Sequence, residues 1–277
     1  MKTRRKTTIN YLSNAELLYE INKSKVSYSS FIDPEYEDFC VIVEKEEDIT
    51  PEILELAKTN KAILLNRQKL RKMIKEKWSK EEIAEDIDQN SYKPEDITLD
   101  QLVFRIMTFD HVPDEYNTGK KNMLNNLKFP PFKHFAYIDG KFTEVGRSHW
   151  EGGLQNGHFN VEHGKVTNNL SNALIKMVDR YGTKANFSQY TYLDEMKGQA
   201  LLQLATVAIQ FDESYVYLSE NAVSKTPNPF SWFTSVIHTS FLKILKAEKR
   251  QRDIKDEIMQ AEIGISSDSY RDSNKDK

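Results

Sequence analysis

Cysteine is almost missing from this chain: Cys40 is the one such residue in 277. A single thiol excludes an intrachain disulfide and any zinc site built on several thiolates. Between Phe39 and Val41, Cys40 reads as a small buried hydrophobe, and a chain without disulfides suits a reducing cytosol. Also lacking is any apolar run near the ~20 residues of a membrane span. The opening MKTRRKTT is basic but has no apolar core of a secretory signal, so a solvated tail is expected. Strong charge of one sign is absent too. Lys and Arg number 39 against 42 Asp and Glu, a net charge of −3. Bulk charge therefore predicts no nucleic-acid binding, and any such binding must come from local asymmetry. No internal repeat or long low-complexity segment appears.

What is present is a polar, charge-rich chain, 39% hydrophobic and 29% charged, with mean hydropathy −0.64. It is long enough for one large domain or two ordinary ones with a real core. NYLSNAELLYEINK at 10–23 predicts a short helix capped by Ser13 or Asn14. FCVIV at 39–43 reads as a strand. Thr50 followed by Pro51 marks a helix start, and apolar spacing carries one or two helices on to Trp78. Ser79 and Glu82 form a capping box for another. TLDQLVFRIMTF at 98–109 is expected to be a further short helix. A helix-turn-helix over 63–109 would need looser spacing than usual and has no glycine at its turn, so ordinary helical packing is expected. HFAYIDGKFTEVG at 134–146 predicts a β-hairpin turning at Asp139-Gly140. Helices follow at 167–182, stopped by Gly182, and at 190–212. The residues from Ser266 are polar and expected to be disordered. The boundaries implied are a tail and helix (1–30), a helical insertion (31–120), a hairpin and loop insertion (121–166), a helical domain (167–259) and a disordered tail (260–277).

The segment NPFSWFTSVIHTSFLKILKAEKRQR at 228–252 departs from an ordinary core helix. Phe230, Trp232 and Phe233 stand at its start, and Ser235, Thr239 and Ser240 follow. Lys243, Lys246, Lys249 and Arg250, three to four apart, make a basic stripe at its end. Val236, Ile237, Phe241, Leu242, Ile244 and Leu245 supply a packing face. Aromatics that stack bases and cations that track phosphates suit single-stranded nucleic acid. A plain amphipathic helix with a basic, solvated end is the competing reading. The preceding helix carries Asp194 and Glu195 at its start and Gln199 and Gln203 further down the same side. Such acids complement a helix dipole, and such a face can also dock a partner.

The order YTYLDEMKGQALLQLATVAIQFDES, then NPFSWFTSVIHTSFLKILKAEKRQ, resembles region 2 of bacterial-type sigma factors. More specifically, it resembles the late-transcription sigma factors of T4-like phages in their cyanophage-type form. Phe211-Asp212, Asn228-Pro229-Phe230 and KAEKRQR at 246–252 carry the resemblance, over about 167–258. It implies a mainly α fold, a region 2-like helical bundle with a small α+β insertion containing a β-hairpin. It implies a promoter-recognition subunit in the cytoplasm of an infected bacterium, without catalytic chemistry or cofactor. Asp194, Glu195, Gln199 and Gln203 would contact the clamp helices of host core RNA polymerase. Phe230, Trp232, Phe233, Ser235, Thr239, Lys243, Lys246, Lys249 and Arg250 would contact promoter DNA and melt a −10-like element. A phage co-activator and a sliding clamp are further implied partners. Clamp binding does not follow readily from the tail GISSDSYRDSNKDK, where Ile265 and Tyr270 are the large apolar residues. No second helix-turn-helix of the −35-reading kind is visible, and 50–165 has no counterpart in the short members of the class.

Two rival classes need different residues. His134, His149, His158 and His163, with Asn156 and Glu162 between, could serve a metal-dependent nuclease. No two of these histidines share the i, i+4 spacing of a helix-borne ligand pair, so satisfied loop histidines and no metal are expected. A helical scaffold protein would leave the aromatic-to-basic gradient at 230–252 unexplained.

Overall fold

A computed structural model describes residues 11–116, 126–214 and 227–272. They divide into two compact units. A sheet unit takes Leu12–Leu170 and Val207–Pro229; a helical unit takes Tyr11, Ser171–Thr206 and the last helix from Phe230.

The sheet unit opens with α1 (Asn14–Val26), whose N-terminus is closed by a reciprocal capping box between Ser13 and Glu16. Such a cap contributes ~1 kcal/mol. Five strands follow in chain order: β1 (Ser29–Phe31), β2 (Val41–Val43), β3 (Val103–Met107), β4 (Phe132–Ile138) and β5 (Lys141–Ser148). They form one mixed sheet in the order β1-β5-β4-β3-β2, in which the β2–β3 pair alone is parallel. Between β2 and β3 run α2 (Pro51–Lys75), started by Thr50 and Pro51, and α3 (Lys80–Asn90), started by the Ser79–Glu82 capping box. The β4–β5 turn places Asp139 and Gly140 at φ 50° and 74°. That is the left-handed geometry of a two-residue hairpin turn, which Asp tolerates and Gly prefers. Two short strands, β6 (Trp150–Glu151) and β7 (His158–Phe159), pair on their own. No described helix is long and apolar enough to cross a membrane.

The expectation of a mainly helical protein is overturned, because the five-stranded sheet makes the architecture α+β. The chief correction is at 98–109, where a helix was expected and the interior strand β3 stands between β4 and β2. Its residues alternate between two covered faces. Phe104 and Ile106 join Cys40, Val41, Ala57, Ala62 and Leu102 in the core beneath α2. Arg105 points the other way, toward α1, and is 1% exposed. A strand covered on both faces needs no polar side, so its apolar run resembles a buried helix.

Arg105 is held by two aromatic rings and by hydrogen bonds within the sheet unit. Its guanidinium lies 3.8 Å from the ring centroids of both Phe39 and Phe132. Its Nε donates to His134 Nε2 (2.9 Å), and one terminal nitrogen donates to Asn22 Oδ1 (2.9 Å) and Glu213 Oε1 (3.2 Å). Burial, reinforced by the Arg105 charge, holds His134 well below its ordinary pKa. It is therefore neutral, accepts at Nε2 and donates from Nδ1 to the Tyr36 carbonyl at 2.7 Å. Nearby, buried Lys25 donates to the Phe211 carbonyl at 2.8 Å, and desolvation lowers its pKa to about 8. These bonds anchor the Phe211–Glu213 segment to α1 and the sheet.

The helical unit consists of α4 (Asn168–Gly182, entered from the sheet unit), α5 (Leu193–Val207) and α6 (Pro229–Asp272). Leu170, Ala173, Leu174, Met177, Val178 and Tyr181 form the buried stripe of α4 at helical spacing. Met196, Ala200 and Leu204 do the same for α5, and Phe233, Ile237, Ser240 and Phe241 for α6. The last helix continues to Asp272, past Ser266 where disorder was expected.

A candidate nucleic-acid interface on the last helix

The 3.6-residue period of α6 sorts its residues into three sets. Phe233 (0% exposed), Ile237 and Phe241 are inward. Phe233 thus belongs to the packing face, with its ring 5.2 Å from that of Trp232. Ser231, Ser235, Thr239 and Lys243 face outward, and Lys246, Lys249 and Arg250 continue exposed toward the C-terminus.

Between these sets, Trp232, Ser235, Val236, Thr239, Ser240 and Lys243 of α6 line a groove of about 300 Å³ with Gln203 of α5. Trp232 is half-buried there. The hydroxyls of Ser235 and Thr239 donate to the carbonyls of Ser231 (3.1 Å) and Ser235 (2.9 Å), one turn back. Their hydrogens are spent within the helix, so their oxygens face the groove as acceptors.

On the opposite side of α6 a second cavity of about 480 Å³ is lined by Tyr11, Phe230, Thr234 and Ile237 with Arg180, Tyr181 and Lys184 among others. Phe230 is 42% exposed and meets Tyr11 edge-on at 6.4 Å. Lys184 Nζ sits 3.8 Å over the Tyr181 ring. Tyr181 Oη and His238 Nδ1 share a hydrogen bond of 2.8 Å, and burial raises the Tyr181 phenol pKa. Arg180, Tyr181 and Lys184 escaped sequence reasoning. Their signal was RYGTK at 180–184, a basic-aromatic cluster that reads first as a helix end.

On α5, Asp194, Glu195 and Gln203 are exposed and Gln199 is half-buried. Glu195, Gln199, Leu202 and Gln203 share one face by their i, i+4, i+7, i+8 spacing. Leu202, missed from sequence, is 67% exposed in the midst of them. An apolar side chain ringed by amides and a carboxylate suits a protein partner.

The four histidines of the rival reading are not gathered into one site, although His149 and His163 lie near each other. His134 is bonded to Arg105 and Tyr36, while His158 is exposed and 3.8 Å from Glu151. His149 is fully buried against Phe129. Among the described residues no group of three or more His, Cys, Asp or Glu side chains is placed to hold a metal ion. Cys40 is buried, which raises its thiol pKa. Comparison of the chain with family models, curated proteins and solved structures finds no match in any of the three.

Proposed function

We propose that this chain is a promoter-specificity subunit of the phage late-transcription sigma class, which binds bacterial core RNA polymerase in the cytoplasm of the infected cell. The observation that carries the reading is the groove between α5 and α6. It gathers Trp232, Ser235, Thr239 and Lys243 on one wall, and the basic stripe of Lys246, Lys249 and Arg250 continues along the same helix. Trp232 offers a stacking surface to an unpaired base, worth ~1–3 kcal/mol. Ser235 and Thr239 accept from base amino groups, and the lysines hold phosphates. A base must first leave its stack, at a cost of a few kcal/mol, which the phosphate contacts and polymerase binding offset. Phe230 lies on the far side of α6, where the Tyr181–Lys184 cavity provides a second aromatic and cationic surface. The α5 face of Glu195, Gln199, Leu202 and Gln203, with Asp194 at the helix start, is the docking surface for the polymerase clamp helices. The chain supplies recognition and needs no covalent chemistry or cofactor for it.

The test is retention by core RNA polymerase from a plausible host, followed by transcription from a supercoiled template carrying a TATAAATA-like −10 element. Specific initiation supports the reading. Failure to be retained by that polymerase removes it.

A further inference from the structure

The sheet unit carries a charge asymmetry that the function above does not use. From Arg67 to Lys80 the chain has seven basic residues, Arg67, Lys69, Arg71, Lys72, Lys75, Lys77 and Lys80, against one acid, Glu76. This stands in a chain of net charge −3. Two of the seven are occupied: Lys69 pairs with Asp86, and the Arg71 guanidinium stacks on Tyr19 at 3.4 Å. Arg67, Lys72, Lys75, Lys77 and Lys80 are exposed and make no ion pair among the described residues. Beside them Ile74 and Trp78 are 60% and 42% exposed. Of the acids across the turn, Glu82 bonds back to the Ser79 backbone at 2.7 Å in the capping box.

The end of α2 adds a second, independent observation. Trp78 N–H donates to the Met73 carbonyl and Lys77 N–H to the Ile74 carbonyl, both at 3.1 Å. That is the Schellman closure, whose left-handed position is ordinarily glycine. Here it is Lys77, at φ 62°. A side chain at this φ is strained, so the fold tolerates a destabilised backbone where a cation results.

We propose that the tip of α2, with Lys75, Lys77 and Lys80 around Trp78, is a second nucleic-acid contact that grips a phosphodiester backbone. The cations answer the phosphates, and the open indole lies against a sugar or a base. The site is in a different unit from the α5–α6 groove and does not depend on the sigma reading.

The experiment measures binding of the full chain, without polymerase, to labelled promoter-free DNA between about 50 and 200 mM salt. With all three lysines engaged, Lys75→Ala/Lys77→Ala/Lys80→Ala flattens the slope of log affinity against log salt by about 2.7 on duplex, at ~0.9 per phosphate contact. A Lys246→Ala/Lys249→Ala control keeps the α6 contribution separate. Lys77→Gly is the sharper variant. It relieves the backbone strain, so its melting temperature rises, while its DNA affinity falls; a purely structural lysine would not move the two in opposite directions. Trp78→Ala distinguishes the sources, because a loss on single strands greater than on duplex identifies an unpaired strand. Unchanged slope and affinity in the triple variant overturn the proposal. So does a loss confined to vesicles of phosphatidylserine, which would make the tip a membrane-surface contact.

Discussion

Cations occur in this molecule in two settings that obey opposite rules. Lys25 and Arg105 in the sheet unit are almost wholly buried, and carbonyls, a carboxylate, an imidazole and two aromatic rings surround them. Lys243, Lys246, Lys249 and Arg250 on α6 are exposed, and the four form no ion pair among the described residues. Buried charge must be matched by the fold itself, or the fold fails. Exposed charge repeated along one helix side costs little in water and is available to an outside phosphate. Substitutions in the first set should therefore act on stability, and those in the second on binding.

The largest effect is expected at Arg105. Arg105→Ala leaves Glu213 buried without its guanidinium partner, with the Asn22 amide and the nearby Lys25 charge remaining, removes the donor to His134 and opens a void between Phe39 and Phe132. Breaking a buried pair in this way costs ~3–5 kcal/mol. Urea unfolding should show the loss, and the Phe211–Glu213 segment should gain amide exchange because its anchor is weakened. A destabilisation under about 1 kcal/mol would mean that the network is not organised as described.

Next comes acid sensitivity centred on His149, which is fully buried and holds a left-handed φ of 52°. Burial, followed by the nearby His111, His163 and Lys25 charges, lowers its pKa from 6.5 to about 3. The unfolded chain binds the extra proton between those values and the folded chain does not. Stability is therefore complete above pH 6.5 and falls as the pH drops toward 3, by up to ~1.4 kcal/mol per pH unit from this group. His149→Asn, which tolerates the same φ, should flatten the dependence by about one proton. An unaltered slope would show that other groups govern acid unfolding.

A smaller effect, confined to function, is expected at the groove. On the proposed function, Trp232→Ala should weaken promoter opening by the ~1–3 kcal/mol of a stacked base while polymerase binding is retained. Glu195→Lys should do the reverse. If Trp232→Ala opens promoters normally, the groove is not where the base is held.

Local chemistry made much of the fold legible. The Ser13–Glu16 and Ser79–Glu82 capping boxes, the Thr50-Pro51 start and the Asp139-Gly140 turn each depend on residues within four positions. The strand at 103–107 was not legible. Its apolar run fits either period, and Arg105 in its midst looks like the wet side of a helix until Glu213, 108 residues away, is seen beside it. The groove divides in the same way. The spacing of Trp232, Ser235, Thr239 and Lys243 is internal to one helix and could be read directly. Which aromatic turns inward, Phe233, is decided by α6 packing. The cavity of Tyr181, Arg180 and Lys184 depends on two helices distant in sequence.

The smallest expected change in the folded protein is also the most direct test of the contrast between the two sets of cations. Lys246→Ala/Lys249→Ala removes two exposed charges that form no ion pair among the described residues, so the melting temperature should stay where it is. Binding to DNA should weaken by a similar factor for promoter and unrelated sequences, because phosphates carry no sequence information. With both lysines engaged, the salt slope should flatten by about 0.9 for each contact on duplex and about 0.7 on single strands. A loss of stability instead would place these lysines with Lys25 and Arg105 as structural cations. A loss confined to one promoter sequence would mean that they read bases, and the recognition surface would then have to be redrawn toward the C-terminal half of α6.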